Sequence, residues 1–124
     1  MLSVFSFWLL FSNGLCDCSY VACMLVEIIL GRTSFISEAH FSLWLAEEDR
    51  ANRAAKILFT FFVLEWGMIR IIAAIYDDAA AALITYGAEG LLAAFGMYDG
   101  IVDYRKGAVV CLLSFACALV LVLT

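Results

Sequence analysis

The stretch FFVLEWGMIRIIAAIY, residues 61–76, decides how the whole chain is read. It is apolar almost throughout, yet Glu65 and Arg70 lie near its middle. Counted from Ile57, the run has the roughly 20 residues that a helix needs to cross a hydrocarbon core. Both charges need partners there, whether the surroundings are lipid or a dry protein core.

The rest of the chain settles which surroundings to expect. Its 124 residues are 66% hydrophobic and 15% charged. Soluble domains average about 45–50% and about 25%. Mean hydropathy is +1.03, and a small soluble domain has too much surface to hide such a composition. The reading is an all-α polytopic membrane protein, forming a single transmembrane domain over residues 1–124. About four spans in an antiparallel bundle are expected, with one short interfacial amphipathic helix. The net charge of −5 excludes nucleic acid as a partner, because phosphate binding needs a basic patch. There is no proline, which favours uninterrupted helices and leaves the turns to Gly, Asn and Asp.

Spans are expected at residues 57–76, 79–98 and 107–124, separated by Asp77–Asp78 and by DGIVDYRK. Links this short make antiparallel neighbours. Residues 1–31 are nearly all apolar, but one helix over all of them would be about 46 Å long, against a core of about 30 Å. A break is therefore expected at Asn13–Gly14. That leaves a first span at 15–31, preceded by a short embedded or interfacial segment. Reading VFSFWLLF as the apolar region of a signal peptide is the rival, but no basic residue precedes it and no A-x-A-like site follows.

Residues 35–49 are expected to form the amphipathic helix. Phe41, Trp44 and Leu45 share one face, with Trp44 as an interfacial anchor. Thr33, Ser34 and Ser37 are candidate N-caps. Six of the seven basic residues, Arg32, Arg50, Arg53, Lys56, Arg105 and Lys106, flank the first and third links. Four spans put them all on one side, which the positive-inside rule makes cytoplasmic, matrix or stromal. The expected location is a multi-pass position in an organellar or endomembrane bilayer.

Glu65 and Arg70 are separated by about 140° around their helix and cannot pair with each other. Counted from the Asp77–Asp78 turn, Arg70 lies about 11 Å deep, Glu65 about 19 Å and Glu89 about 16 Å. An intramembrane cluster of Glu65, Arg70 and Glu89 is expected, with Glu89 as the arginine's partner. On that expectation, loss of Glu89 alone strands the arginine. Gly87, Gly90, Ala94, Gly96 and Gly100 mark span three as the closely packed central helix, while the uncharged span four faces lipid or a partner. Trp66, at i, i+4 from Arg70, either stacks on it or faces lipid.

His40 is the one candidate ligand for a bound cofactor, such as the magnesium of a pigment. A histidine at headgroup level is the plainer reading. The five cysteines lack C-x-x-C spacing, and no metal site is expected. No haem, nucleotide-binding or hydrolase motif is present. The segment RIIAAIYDD, residues 70–78, is faintly similar to the small four-span scaffold proteins of ergosterol biosynthesis, which also carry an arginine late in span two. Their Gly-His-Phe in span three is replaced here by FGMYDG, residues 95–100, and no residue role is carried over.

The expectation is a non-catalytic scaffold or accessory subunit of a larger membrane complex, in an energy-transducing membrane among other candidates. Its partners are the lipid bilayer and other membrane subunits. The alternatives are a small ion or proton carrier using Glu65, Arg70 and Glu89, and a pigment- or cofactor-carrying membrane subunit with His40 as ligand; the sequence implies no particular cofactor and leaves a bound lipid or pigment open.

Overall fold

The computed structural model describes all residues, 1–124, and contains only helices. They are α1 (Val4–Leu30), α2 (Phe35–Trp44), α3 (Arg53–Ile75), α4 (Ala79–Tyr98) and α5 (Tyr104–Leu123), with a short 3₁₀ turn at Glu47–Asp49. Four of them, α1, α3, α4 and α5, are long and apolar enough to cross a membrane. The chain is an all-α, multi-pass membrane bundle.

A polar residue caps the start of each of the five α-helices. Ser3 caps α1, its hydroxyl accepting from the Ser6 amide, and Gly31 ends the helix in the left-handed region at φ 66°. Ser34 and Ser37 form a reciprocal capping box on α2. Asn52, Asp78 and Asp103 cap α3, α4 and α5. Asp77 adopts φ 59°, which lets a link of very few residues reverse the chain between α3 and α4.

The expected break at Asn13–Gly14 does not occur. α1 runs through it for 27 residues, about 40 Å at 1.5 Å per residue. The reason is packing. A Cβ on Gly14 would come within 2.6 Å of the Gly67 carbonyl oxygen and of Ile71, and a Cβ on Gly67 within 2.9 Å of Asp17. The two glycines let α1 and α3 touch backbone to backbone, as small residues do in membranes. Asn13 also has a partner, donating to the Tyr86 hydroxyl at 2.6 Å. "NG" here is a helix–helix contact, not a turn.

On α4, Gly90 receives the Phe115 ring of α5 and Gly96 receives Val102. Ala94 is half-buried beside the buried Ala93. Gly87 and Gly100 were expected to pack, but nothing lies within 4 Å of a Cβ at either. Gly100 serves a turn instead, at φ 77°. On α5 only Gly107, Ser114 and Leu121 are buried, so most of its surface faces outward.

α2 folds back along α1 and α3 at the basic end of the bundle. Ser37 donates to Glu27 at 2.5 Å, and Glu27 in turn pairs with Lys56 at 2.6 Å. Phe41 is buried with Val21, Met24 and Val63. Trp44 packs against Phe59 and Trp66. A second apolar cluster, Leu10, Ala73, Ala74, Ala82, Tyr86 and Leu121, fills the other end. The buried charges lie between these two apolar layers.

Candidate functional site

Arg70 is placed by the inward stripe of α3, on which Thr60, Val63, Gly67, Arg70 and Ala74 recur every three or four residues. Only 4% of its side chain is exposed. Nη1 donates to Asp17 of α1 at 2.7 Å, Nη2 donates to Glu89 of α4, and Nε donates to Thr85 Oγ1 at 3.2 Å. The guanidinium carbon also lies 4.3 Å from the centroid of the Tyr86 ring, within cation–π range. One guanidinium therefore joins α1, α3 and α4 at a single level.

The pairing with Glu89 agrees with the depth count across the Asp77–Asp78 turn. Two other expectations change. Glu65 is not part of the cluster. It is exposed on the outer face of α3, because the angle that separates it from Arg70 turns it outward once Arg70 faces in. It makes no ion pair within the chain. Trp66 does not stack on Arg70 either. It meets Trp44 edge-on at 6.4 Å, and Tyr86 takes the place over the guanidinium.

Asp17 is the residue that sequence reasoning missed. With a span starting at residue 15 it sits at a membrane edge. With the real start at Val4 it lies 13 residues into α1, about 20 Å along the axis. A partial signal was available: aligned antiparallel from their basic ends, α1 and α3 put Asp17 opposite Trp66, about one helical turn from Arg70, a distance the long arginine side chain spans.

Two cavities meet at the carboxylates. One, of about 360 Å³, lies among α1, α3, α4 and α5 and is lined by Asn13, Asp17, Arg70, Tyr86, Glu89 and Ser114 among others. A smaller one, of about 210 Å³, lies under α2 and includes Asp17, Glu89 and His40. His40 Nδ1 is 2.8 Å from the Ile36 carbonyl and so donates to it, leaving Nε2 as the acceptor. Its ring lies 4.5 Å from that of Tyr20. The smaller cavity is below the roughly 300–1,000 Å³ of sites that enclose drug-sized ligands. No three His, Cys, Asp or Glu side chains converge as a metal-binding group.

Compared with known proteins, the chain matches no family model, no curated protein and no solved structure. The short likeness at residues 70–78 therefore carries no assignment, and function must be argued from the side chains themselves.

Proposed function

We propose that this protein is a non-catalytic subunit of a larger membrane assembly, docked to a neighbouring transmembrane helix through the outer face of α3. The observation that carries this is Glu65. It lies at the middle of α3, about 15–18 Å from either end of the helix, exposed and without a partner in the chain. Ionisable groups at such depth almost always face protein or a water-filled cavity and pair with another polar group. The buried cluster shows how this chain treats its other mid-span charges, since Arg70, Asp17 and Glu89 all have partners. Around Glu65 the same face exposes Phe61, Phe62, Met68 and Ile69. Large apolar side chains around one carboxylate suit a partner helix that brings a basic or hydrogen-bonding side chain. The Arg70 cluster then has a structural role, holding α1, α3 and α4 in place while α3 presents its outer face.

The test is affinity purification of the full chain in mild detergent, comparing Glu65→Leu with wild type. Loss of a defined co-purifying membrane protein, with the variant still folded, supports the docking reading. A wild-type chain that runs as a lone monomer, or a complex indifferent to Glu65, removes its basis.

A further inference from the structure

We infer that the cavity between α1 and α5 is a binding site for an organic ammonium, the head of a single-chain amphiphile that enters sideways from the bilayer. This does not depend on the subunit role, because the cavity and the Glu65 face involve different sides of α3.

The first observation is the state of Ser114. It is only 4% exposed, lies mid-way along α5 and lines the 360 Å³ cavity, yet its hydroxyl makes no hydrogen bond. Other helical hydroxyls in this chain find a backbone carbonyl: Ser12 bonds to Trp8, Ser19 to Leu15 and Thr60 to Lys56. No polar side-chain atom sealed inside the protein lacks a partner, so the Ser114 hydroxyl is open to the cavity.

The second observation is the sign of the charge that the cavity presents. Arg70 is 4% exposed, whereas Asp17 is 18% and Glu89 22% exposed. The guanidinium is covered and the carboxylates are not. Each carboxylate gives one oxygen to Arg70, leaving Asp17 Oδ1 and Glu89 Oε1 without a protein partner. Two carboxylates against one guanidinium leave one formal negative charge, so an anion is repelled and a cation is attracted. Asn13 uses its amide N–H on Tyr86 and keeps its carbonyl oxygen. Asp17, Glu89, Asn13 and Ser114 thus offer acceptors to a ligand that is itself a donor. A primary ammonium carries one positive charge and three N–H donors.

The third observation is the way in. Cys16 on α1 and Leu113 on α5 flank the cavity and are both exposed. The opening therefore faces the side of the bundle, at mid-span, where acyl chains lie. An alkyl tail can remain there while the head reaches the carboxylates. The volume falls within the range of small-molecule sites, about 300–1,000 Å³, and is far larger than a bare inorganic ion needs.

The experiment uses the full chain in uncharged maltoside micelles and follows the thermal unfolding midpoint during titration with octylammonium chloride. 1-Octanol, sodium octyl sulfate and ethylammonium chloride serve as comparisons. A saturable rise with octylammonium alone is expected. Ser114→Leu puts an apolar side chain into the cavity while leaving every residue of the Arg70 cluster unchanged, and should abolish the rise. Ser114→Ala keeps the space but removes one charge-assisted acceptor, and should weaken the apparent affinity about tenfold. If Ser114→Leu does not fold, Ser114→Ala decides alone, and an unchanged affinity overturns the site. Equal responses to octylammonium and octanol show detergent-like partitioning only and also overturn it. An equal response to ethylammonium refutes sideways entry by an amphiphile.

Discussion

Replacing Asp17 and Glu89 by leucine, singly and together, tests whether Arg70 is the common tie of three helices. In either single variant the guanidinium keeps the other carboxylate, Thr85 and the Tyr86 ring. Each loss then removes a hydrogen bond to a charged group, worth about 1.5–3 kcal/mol. In the double variant the arginine has no counter-ion and cannot neutralise itself by losing a proton. Stranding a buried charge by removing its last partner costs about 3–5 kcal/mol. The double variant should therefore lose about 2 kcal/mol more than the sum of the singles, within the usual range for coupled neighbours. Adding Arg70→Leu removes the stranded charge, so the triple variant should recover much of the loss. Reversible unfolding by SDS titration in mixed micelles, read by tryptophan fluorescence, supplies the free energies. Additive losses, or a triple variant no better than the double, would refute the idea that one arginine spans both carboxylates. The expectation from sequence alone, that Glu89→Leu strands the arginine by itself, fails because Asp17 holds the other side of the guanidinium.

Two further outcomes follow from the geometry. Gly14→Ala should destabilise by about 1–3 kcal/mol, as overpacking does, because its Cβ would lie 2.6 Å from a backbone oxygen that cannot rotate away. Gly87→Ala is the control: with open space at that position, helix propensity should stabilise it by up to about 1 kcal/mol. The same SDS titration reads both, and an unperturbed Gly14→Ala would contradict the backbone contact. In a cysteine-free background, Arg32→Cys and Arg105→Cys should react with an impermeant thiol reagent from one side of sealed vesicles and Asp78→Cys from the other. Reaction of all three from the same side would break the four-span layout.

The span count, the turns and the Arg70–Glu89 pair were legible because each rests on local quantities: apolar run length, turn chemistry and rise per residue. Those quantities say how deep a side chain sits within its own helix. They do not say which face a helix turns toward its neighbours. Glu65 illustrates the gap, since its depth matches that of Glu89 and only the inward choice of the Thr60–Ala74 stripe sends it outside. Asn13–Gly14 illustrates another. In water the pair signals a turn, but against Gly67 the same glycine lets two backbones meet, and the partner that decides lies 53 residues away. That misreading displaced Asp17 toward a membrane edge and hid half of the ion cluster. Ser114 gave no signal at all, because an isolated serine in an apolar span usually bonds to its own helix.

The bundle is held in two different ways, and the difference bears on the cavity. α1, α3 and α4 are tied by directional contacts: a guanidinium with fixed donor geometry, two carboxylates, and a glycine pair that sets how closely α1 approaches α3. A slip of one residue along any of these helices moves a partner by about 1.5 Å and turns it by about 100°, enough to break the cluster. Registry is the best-attested use of buried polar groups. α5 has no charge in the cluster. It rests on α4 through Phe115 over Gly90, Met97 against Gly107, and a weak Cys111 thiol contact to the Gly90 carbonyl at 3.4 Å. At its end Thr124 meets Ser6 of α1. None of these contacts carries a charge whose loss must be compensated. The cavity is thus built from a charged wall on α1, α3 and α4 and an uncharged wall, Leu113, Ser114 and Cys117, on α5. Because the carboxylates are held by Arg70 and the uncharged wall takes no part in that cluster, a head group seated between them leaves in place the contacts that hold the fold.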